Sequence, residues 1–263
     1  MQSLTMNDGH RIPQIGFGVF QMTSAEVEEH LPEAIAAGYR HIDTANAYFN
    51  EVAVGKAVRE CGVPREELFV TSKLFPQSYP YEQCRQDIDA TLERLGLDYL
   101  DLLLFHQPYG DYARGWKAME EVVRAGKVRS IGLSNFPMHK IQQILDVAEI
   151  EPAVLQVEIN PYWNQHELKA QLESHNVVFE GWYPFGHGDA TLLAEPVFTR
   201  LAQKYNKTNA QVIMRWNIQE SNVVFPKTLN PAHMADNIDV FDFELTADEM
   251  AEINALPQRA YYN

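Results

Sequence analysis

Cysteine is scarce in this sequence, which contains only Cys61 and Cys84. They form neither a Cys-x-x-Cys pair nor a longer series, so the sequence carries no pattern for a soft-metal cluster. Because disulfide frameworks need several cysteines and an oxidising compartment, we expect reduced thiols and a reducing environment.

Long hydrophobic runs are also missing. No stretch approaches the ~18 consecutive apolar residues of a membrane-spanning helix. Residues 1–9 lack the basic end and the apolar centre of a secretory signal. We therefore expect a cytoplasmic protein without a membrane partner.

Basic residues are outnumbered, with 21 Lys and Arg against 36 Asp and Glu and a formal net charge of −15. Such a field repels phosphate backbones, which argues against nucleic acid as a partner. Hydrophobic residues make up 46% of the chain, enough for a large core, and no Pro-, Gly- or Ser-rich segment separates two halves. We therefore predict one domain over residues 1–263.

The sequence does contain an alternation of two kinds of segment. Short apolar and β-branched runs, typical of buried parallel strands, occur at Tyr39–Thr44, Leu68–Lys73, Tyr99–His106, Val128–Ser134, Val154–Glu158, Val177–Trp182, Val223–Pro226 and, more weakly, Ile238–Phe241. Amphipathic stretches lie between them, at Glu26–Ala37, Glu51–Glu60, Glu82–Leu95, Gly115–Ala125, Pro137–Val147, His166–Ser174, Asn209–Gln219 and Pro231–Asn237. About eight strand–helix repeats in ~250 residues predict a (β/α)8 TIM barrel.

Shorter signals refine this prediction. Asn7-Asp8-Gly9 indicates the two-residue turn of a β-hairpin, which would close the bottom of the barrel. Gly16-Phe17-Gly18 precedes the first predicted parallel strand and has only two glycines of the dinucleotide fingerprint, which argues against a Rossmann domain. Ser24 precedes an acidic first helical turn, and Pro137 and Pro231 suit a first helical position.

Ionisable side chains follow three neighbouring predicted strands. Asp43 ends the first, Lys73 ends the second and His106 ends the third, with Tyr48 on the loop after Asp43. The carboxyl ends of barrel strands carry the active site. Asp43 can keep a desolvated Lys73 protonated, and this cation should lower the pKa of Tyr48 so that the phenol moves a proton near neutral pH. A neutral His106 can hydrogen-bond a carbonyl oxygen, so we predict a proton donor beside an oxyanion pocket.

Two other functions fit parts of the same pattern. His41, Asp43 and His106 could hold zinc in a barrel hydrolase, although the usual second His pair is missing. A barrel that binds a cofactor only as a sensor or subunit is the other alternative, and the complete set of four polar residues argues against it.

These residues lie in motifs that resemble the aldo-keto reductase family, in particular its short bacterial type similar to the 2,5-diketo-D-gluconate reductases. The resemblance runs from about Gly9 to Leu256. Its motifs, in the order of the family, are Gly38-Tyr39-Arg40-His41-Ile42-Asp43-Thr44-Ala45, Tyr48 with Asn50-Glu51, Ser72-Lys73-Leu74, His106 with Pro108, Ile131-Gly132-Leu133-Ser134-Asn135-Phe136, Gln156-Val157-Glu158, Pro184-Phe185-Gly186, Pro226-Lys227-Thr228 and Val240-Phe241-Asp242-Phe243.

The resemblance implies NAD(P)H-dependent reduction of an aldehyde or ketone, either a small carbonyl compound or a sugar acid, without a metal. It makes Asp43, Tyr48, Lys73 and His106 the catalytic tetrad, with Tyr48 as the proton donor. Barrels of this kind can be monomers, and we expect one here.

The resemblance also implies a cofactor site. Ser134, Asn135 and Gln156 match positions that hold the nicotinamide carboxamide, Trp182 matches the ring on which the nicotinamide stacks, and Lys227, Thr228 and Asn237 match the adenosine end of an NADPH site. At His233 the family usually has an Arg that clamps the 2′-phosphate. Because His is only partly charged at pH 7 and lacks the fork of Arg, we expect a weakened preference for NADPH over NADH.

The substrate side departs from the family pattern. Phe75 and Gln107 occupy positions where the family commonly has Trp, so the substrate range of relatives transfers poorly. We predict a pocket lined by Phe20, Phe49, Phe75, Gln107 and Tyr109, although each aromatic ring could equally belong to ordinary barrel packing.

Overall fold

Parallel strands form the centre of the protein, which is represented by a computed structural model that describes residues 2–259. Within these residues, an antiparallel pair, β1 (Ser3–Thr5) and β2 (Arg11–Pro13), precedes one sheet of eight parallel strands. The parallel strands are β3 (Gly16–Gly18), β4 (His41–Asp43), β5 (Phe69–Leu74), β6 (Leu100–Phe105), β7 (Val128–Ser134), β8 (Val154–Glu158), β9 (Val178–Trp182) and β10 (Asn222–Val224). Strands adjacent in the chain are neighbours in the sheet, and a bridge between Ile15 and Val224 closes it. The predicted TIM barrel is confirmed.

Helices connect successive strands on the outside of the barrel. They are α1 (Ser24–Ala37), α2 (Glu51–Glu60), α3 (Tyr81–Leu95), α4 (Tyr112–Arg124), α5 (Met138–Leu145), α6 (His166–Leu172), α7 (Ala190–Leu193), α8 (Pro196–Tyr205), α9 (Asn209–Gln219), α10 (Pro231–Ile238) and α11 (Ala247–Asn254). Short 3₁₀ turns occur at Asn46–Tyr48, Arg65–Glu67, Pro76–Ser78, Glu173–His175 and Gly186–Gly188. Over the described part of the chain, none of these helices combines the length and the apolar character needed to cross a membrane.

The strand prediction was wrong for the first and the last strand of the barrel. The first strand is β3, which pairs with β4 and was not predicted. The predicted last strand, Ile238–Phe241, does not form, because Ile238 ends α10 and Phe241 lies outside any strand. The segment Ile238–Phe241 is apolar because Val240 packs into the core, not because it joins the sheet. Gly16 is required in β3, since a Cβ there would lie 2.2 Å from the ring of Phe225.

The hairpin of β1 and β2 covers the bottom of the barrel, as predicted. Ile12 is fully buried there among side chains that fill the barrel interior. The side-chain amide of Asn7 donates to the backbone oxygens of Pro152 and His175, which precede two barrel strands, over 3.0 and 3.1 Å. The turn contains three residues rather than the predicted two, and Gly9 adopts a φ of +87° within it.

Helix starts follow capping chemistry, with two corrections to the prediction. The cap of α1 is Thr23, whose hydroxyl accepts from the backbone N–H of Glu26 over 3.2 Å while the Glu26 carboxylate accepts from the Thr23 backbone over 2.7 Å. Ser24 is therefore the first helical residue. Pro231 takes the predicted first position of α10, but Pro137 lies one residue before α5.

Candidate active site

Asp43 and Lys73 meet at the mouth of the barrel, the end formed by the carboxyl ends of its strands. Lys73 is 1% exposed, and its ammonium donates to Asp43 Oδ1 over 2.5 Å and to the backbone oxygen of Thr44 over 3.0 Å. Burial is the largest single effect and would lower the pKa of Lys73, but the charge and the hydrogen bond of Asp43, together with neighbouring ionisable groups, outweigh it and the pKa is raised. The lysine is therefore a fixed cation.

Tyr48 lies on the 3₁₀ turn after β4, next to this cation. The Lys73 ammonium is 5.2 Å from the centre of the Tyr48 ring. Burial raises the pKa of the Tyr48 phenol, and the charge of Lys73 offsets that rise only in part. Lys73 does lower the pKa of Tyr48, as expected, but the pKa still lies above its ordinary value, because the desolvation of the phenol is the larger effect. The phenol keeps its proton at neutral pH.

His106 follows β6 and faces Tyr48 edge-on, with ring centres 5.6 Å apart. Burial and the nearby charge of Lys73 lower the pKa of His106 to about 3, so the imidazole is neutral. Its Nδ1 is buried without a hydrogen-bond partner among the described residues. Phe75 packs against the imidazole at 5.6 Å and Phe20 against the Tyr48 ring at 5.0 Å, so aromatic rings flank the pair.

A hydrogen-bonded group lies across the mouth on β7 and β9. Asn135 has a φ of +65°, and its side-chain amide donates to the backbone oxygen of His106 over 3.1 Å and to Ser134 Oγ over 3.2 Å. The indole N–H of Trp182 donates to Asn135 Oδ1 over 3.1 Å. These bonds fix the orientation of the Trp182 ring beside the tetrad.

Gln156 on β8 connects this group to Asp43. Its Nε2 donates to Asp43 Oδ2 and to Glu180 Oε2, both over 2.9 Å. Both amide hydrogens are thereby used, so the amide oxygen is the atom that can receive a hydrogen bond from a ligand.

The predicted adenosine residues lie around the end of β10 and on α10. Lys227 is exposed, and partial desolvation lowers its pKa more than the charge of Glu26 raises it. Thr228 Oγ1 accepts from the backbone of the loop before α10 over 3.0 Å. His233 is exposed and Asn237 is buried, one helical turn apart on α10.

The predicted substrate residues are only partly brought together. Gln107 and Tyr109 line a groove of about 1020 Å³ that reaches Asn135 and Trp182. Phe20 and Phe75 lie against the tetrad instead, as described above. Phe49 is 89% exposed with a φ of +58°, so its ring is largely in solvent.

Two acidic residues were missed by the sequence reasoning. Glu158, at the end of β8, lines the groove and lies 3.4 Å from His187 Nε2; burial raises the pKa of Glu158 to about 7. Glu180 on β9 is fully buried beside Gln156. The available signal was a carboxylate at the end of β8 and another inside β9, two strands whose other residues are mostly apolar.

The zinc arrangement considered above does not form. His41 lies deeper in the barrel than Asp43, between the rings of Phe69 and Phe225 at 4.6 and 4.9 Å, and so does not share a site with His106. Within residues 2–259, no group of three or more His, Cys, Asp or Glu side chains is placed to hold a metal ion.

Comparison with known proteins gives a consistent result. Residues 14–258 match the profile of the Aldo/keto reductase family. Glyoxal reductase of Bacillus subtilis (strain 168) is 42% identical over 97% of this chain and 92% of its own length. Methylglyoxal reductase DkgA of Escherichia coli (strain K12) is 39% identical over 97% of this chain and 93% of its own length.

Solved structures agree with this match. The MGS-M4 aldo-keto reductase from a Medee basin deep-sea metagenome library superposes with a TM-score of 0.96 at 35% identity, covering 99% of this chain and 97% of that one. A Bombyx mori aldo-keto reductase in complex with NADP superposes with a TM-score of 0.90 at 35% identity, covering 96% of this chain and 92% of that one. The chain therefore belongs to the aldo/keto reductase family of oxidoreductases, which reduce carbonyl groups to alcohols with NADP(H).

Proposed function

We propose that this protein reduces small, uncharged aldehydes and ketones with NADPH, and that Tyr48 donates the proton. The observation that carries the proposal is the arrangement at the barrel mouth. A buried Lys73 is paired with Asp43 and lies against the Tyr48 ring, and a neutral His106 faces the same ring. Each of the four side chains has a use in the reaction, and a cofactor-binding protein without catalysis would need none of them in this arrangement.

The donor set at the mouth fits a nicotinamide. The Gln156 amide oxygen is available because both amide hydrogens point to buried acids, and it can accept from a carboxamide N–H. Ser134 and Asn135 offer further polar groups beside it, and Trp182 presents a ring held by its indole N–H. When bound there, a reduced nicotinamide supplies the hydride that adds to the carbonyl carbon.

The adenosine end of the dinucleotide would lie near β10 and α10. Lys227 and the amino end of α10 provide positive charge for phosphate groups in a protein that is otherwise strongly acidic. Thr228, His233 and Asn237 are the remaining residues that we assign to this end.

The residues of the chain then have distinct tasks. His106 carries one ring N–H, which can donate to the carbonyl oxygen and hold it beside the Tyr48 hydroxyl. As negative charge grows on that oxygen, the phenol transfers its proton to it. The Lys73 cation stabilises the phenolate that remains, and Asp43 keeps Lys73 charged and in place.

The groove indicates the charge of the substrate. Glu158 and Glu167 line it, and none of its described lining residues is Lys or Arg. Above about pH 7, where Glu158 as well as Glu167 is ionised, a substrate carboxylate would be repelled there, whereas a neutral dicarbonyl would not. Two relatives are named glyoxal reductase and methylglyoxal reductase. Of the two substrate classes expected from the sequence, we therefore favour small neutral dicarbonyls over sugar acids.

The test uses a pair of substrates that differ by one charge. Glyoxal and glyoxylate both present an aldehyde, but glyoxylate carries a carboxylate. With NADPH in excess, we expect loss of reduced-nicotinamide absorbance with glyoxal and methylglyoxal, and a kcat/KM for glyoxylate at least about tenfold lower, equivalent to about 1.4 kcal/mol. Replacing Glu158 by Gln should reduce the difference in kcat/KM between glyoxal and glyoxylate.

Two results would contradict the proposal. Binding of NADPH without turnover of any carbonyl compound would favour the cofactor-sensor alternative. Faster turnover of glyoxylate than of glyoxal would show that the acidic groove does not select the substrate.

A further inference from the structure

A buried acid that the proposed reaction does not use lies inside the barrel. Glu180 is on β9, is 0% exposed, and is directly opposite Gln156 in the pairing of β8 with β9. Its Oε2 accepts from Gln156 Nε2 over 2.9 Å. Its Oε1 has no hydrogen-bond partner among the described residues. A fully buried oxygen without a donor requires an explanation, because such an atom is costly to bury as a charged acceptor.

The atom that faces this oxygen is itself an acceptor. His41 Nε2 lies 3.7 Å from Glu180 Oε1. His41 Nδ1 lies 3.4 Å from the backbone oxygen of Pro13, which can only accept a hydrogen bond, so we assign the ring hydrogen to Nδ1 and the lone pair to Nε2. That lone pair also accepts from Thr71 Oγ1 over 2.9 Å. Burial lowers the pKa of His41 to about 3, so a second ring proton does not resolve the contact.

A proton on Glu180 removes this contact between two hydrogen-bond acceptors. As a carboxylate, Glu180 would place two buried acceptors against each other. As a carboxylic acid, its Oε1 would carry a hydrogen directed at His41 Nε2, while Oε2 still accepts from Gln156.

The other charged groups that face Glu180 favour the same state. Asp43 on β4 and Lys73 on β5 form a neutral pair, so a carboxylate at Glu180 would be a second negative charge with one cation between them. Burial, together with the charge of Asp43, raises the pKa of Glu180 to about 8, although the Gln156 hydrogen bond and Lys73 oppose the rise.

We propose that Glu180 is a neutral carboxylic acid that holds Gln156 in place for the nicotinamide carboxamide and leaves Asp43 as the partner of Lys73. The positioning role rests on the proposed function, but the neutral state of Glu180 does not. Loss of the Glu180 proton at alkaline pH would add a charge beside Asp43 and draw the Gln156 amide toward Glu180. Cofactor binding should weaken as a result.

The protonation state can be measured directly on the intact protein. In protein labelled with ¹³C at the glutamate carboxyl carbon, we expect one carboxyl resonance to titrate at about pH 8 and to disappear in Glu180→Gln. Glu158→Gln is the matched control, because it should remove a different titration near pH 7 and leave that of Glu180. If Glu180→Gln removes no titration above the ordinary glutamate range, Glu180 is ionised and the proposal fails, whatever the protein does with carbonyl compounds.

The positioning role is tested by NADPH binding, followed by quenching of tryptophan fluorescence across the pH range. The wild type should bind more weakly above pH 8, whereas Glu180→Gln, which keeps an oxygen for Gln156 but cannot ionise, should not. Glu180→Leu removes the acceptor and should weaken binding at every pH. A Glu180→Leu protein with wild-type affinity and pH profile would overturn the role.

The pH dependence of stability gives an independent measurement should Glu180→Leu not fold. The unfolded chain loses the Glu180 proton above pH 4.5 and the folded chain only near pH 8. Between these values the folded state binds more protons, so the stability of the wild type falls as pH rises. The ratio of the unfolding constant of the wild type to that of Glu180→Gln should therefore rise about tenfold per pH unit. A constant ratio across this range would contradict a protonated Glu180.

Discussion

The phenol of Tyr48 holds its proton more firmly than a free tyrosine does, because its burial outweighs the nearby charge of Lys73 and raises its pKa. A firmly held proton suits a donor to a developing alkoxide, which is more basic still. Replacing Tyr48 by Phe removes the proton and leaves the ring packing. We predict that kcat for methylglyoxal falls by about 10²- to 10⁴-fold, the range for loss of a general acid.

NADPH binding should survive this substitution, and quenching of tryptophan fluorescence will measure it. Tyr99→Phe is the matched control, since Tyr99 lies directly before β6, at the opposite end of the barrel, against Arg65 and Arg129. Its turnover should equal that of the wild type. A near-native kcat for Tyr48→Phe would refute the assignment of the proton donor.

His233 is the residue on which we base the cofactor preference. It is exposed on α10, in the position assigned to the 2′-phosphate end. In His233→Arg, a permanently charged, two-pronged donor replaces an imidazole. One charge-assisted hydrogen bond contributes roughly 1.5–3 kcal/mol. Because the position is exposed, we expect the ratio of kcat/KM for NADPH to that for NADH to rise about tenfold, the lower limit of that range.

The change in net charge needs its own control. His139→Arg adds the same charge at another exposed histidine, on α5. It should leave the cofactor ratio unchanged. Equal ratios in the wild type and in His233→Arg would remove His233 from the phosphate site.

At the scale of elements, the start of α1 distinguishes the sequence prediction from the structure. Thr23 makes the reciprocal bonds with Glu26, whereas Ser24 is already helical. Thr23→Ala should therefore lower the free energy of unfolding by about 1 kcal/mol, the usual value of an N-cap. Ser24→Ala should change it by less than about 0.5 kcal/mol. Denaturant unfolding of the two variants measures both values, and a larger loss in Ser24→Ala would mean that the cap is misassigned.

Elements with a long and regular pattern were predictable. Helices α2 and α9 match their predicted bounds at both ends. By contrast, β3 has only three residues, two of them glycine, and shows no strand pattern of its own. Only the pairing of β3 with β4 makes it a strand, and pairing partners are not written in the local sequence. The helices α7 and α8 were missed for a related reason, because the loop after β9 contains them in addition to the regular alternation.

The site was predictable to the extent that it depends on strand ends. Asp43 ends β4, Lys73 is the penultimate residue of β5 and His106 follows β6, so the fold class alone brings them to one end of the barrel. Glu180 lies within a strand, and its importance depends on which side chains face it across the interior. The direction of the Tyr48 pKa depends on burial, which no spacing of residues reveals.

At the scale of the whole molecule, the closure of the barrel rests on few contacts. Within residues 2–259, Ile15 and Val224 form the bridge between the first and last strands of the sheet, with Val224 N–H donating to Gln14 O over 2.9 Å. The Gln14 side chain adds bonds to the backbone oxygens of Ile218 and Asn222 over 3.1 and 3.3 Å. Gln14 thus ties the segment before β3 to the segment that carries β10.

Leu is similar in size to Gln, but replacing Gln14 by Leu should lower the free energy of unfolding because these hydrogen bonds are lost. Gln14 is 4% exposed, so its loss leaves the backbone oxygens of Ile218 and Asn222 without this donor, although Ile218 O still accepts from the Ser221 N–H over 3.1 Å. At about 1–3 kcal/mol for an unsatisfied group, we expect the free energy of unfolding to fall by roughly 1–3 kcal/mol. The control is Gln83→Leu on the exposed face of α3. Among the described residues the Gln83 side chain bonds to Asp87 alone, so the loss should stay below about 0.5 kcal/mol. Urea unfolding compares the two variants, and equal midpoints would mean that Gln14 contributes little to holding the barrel closed.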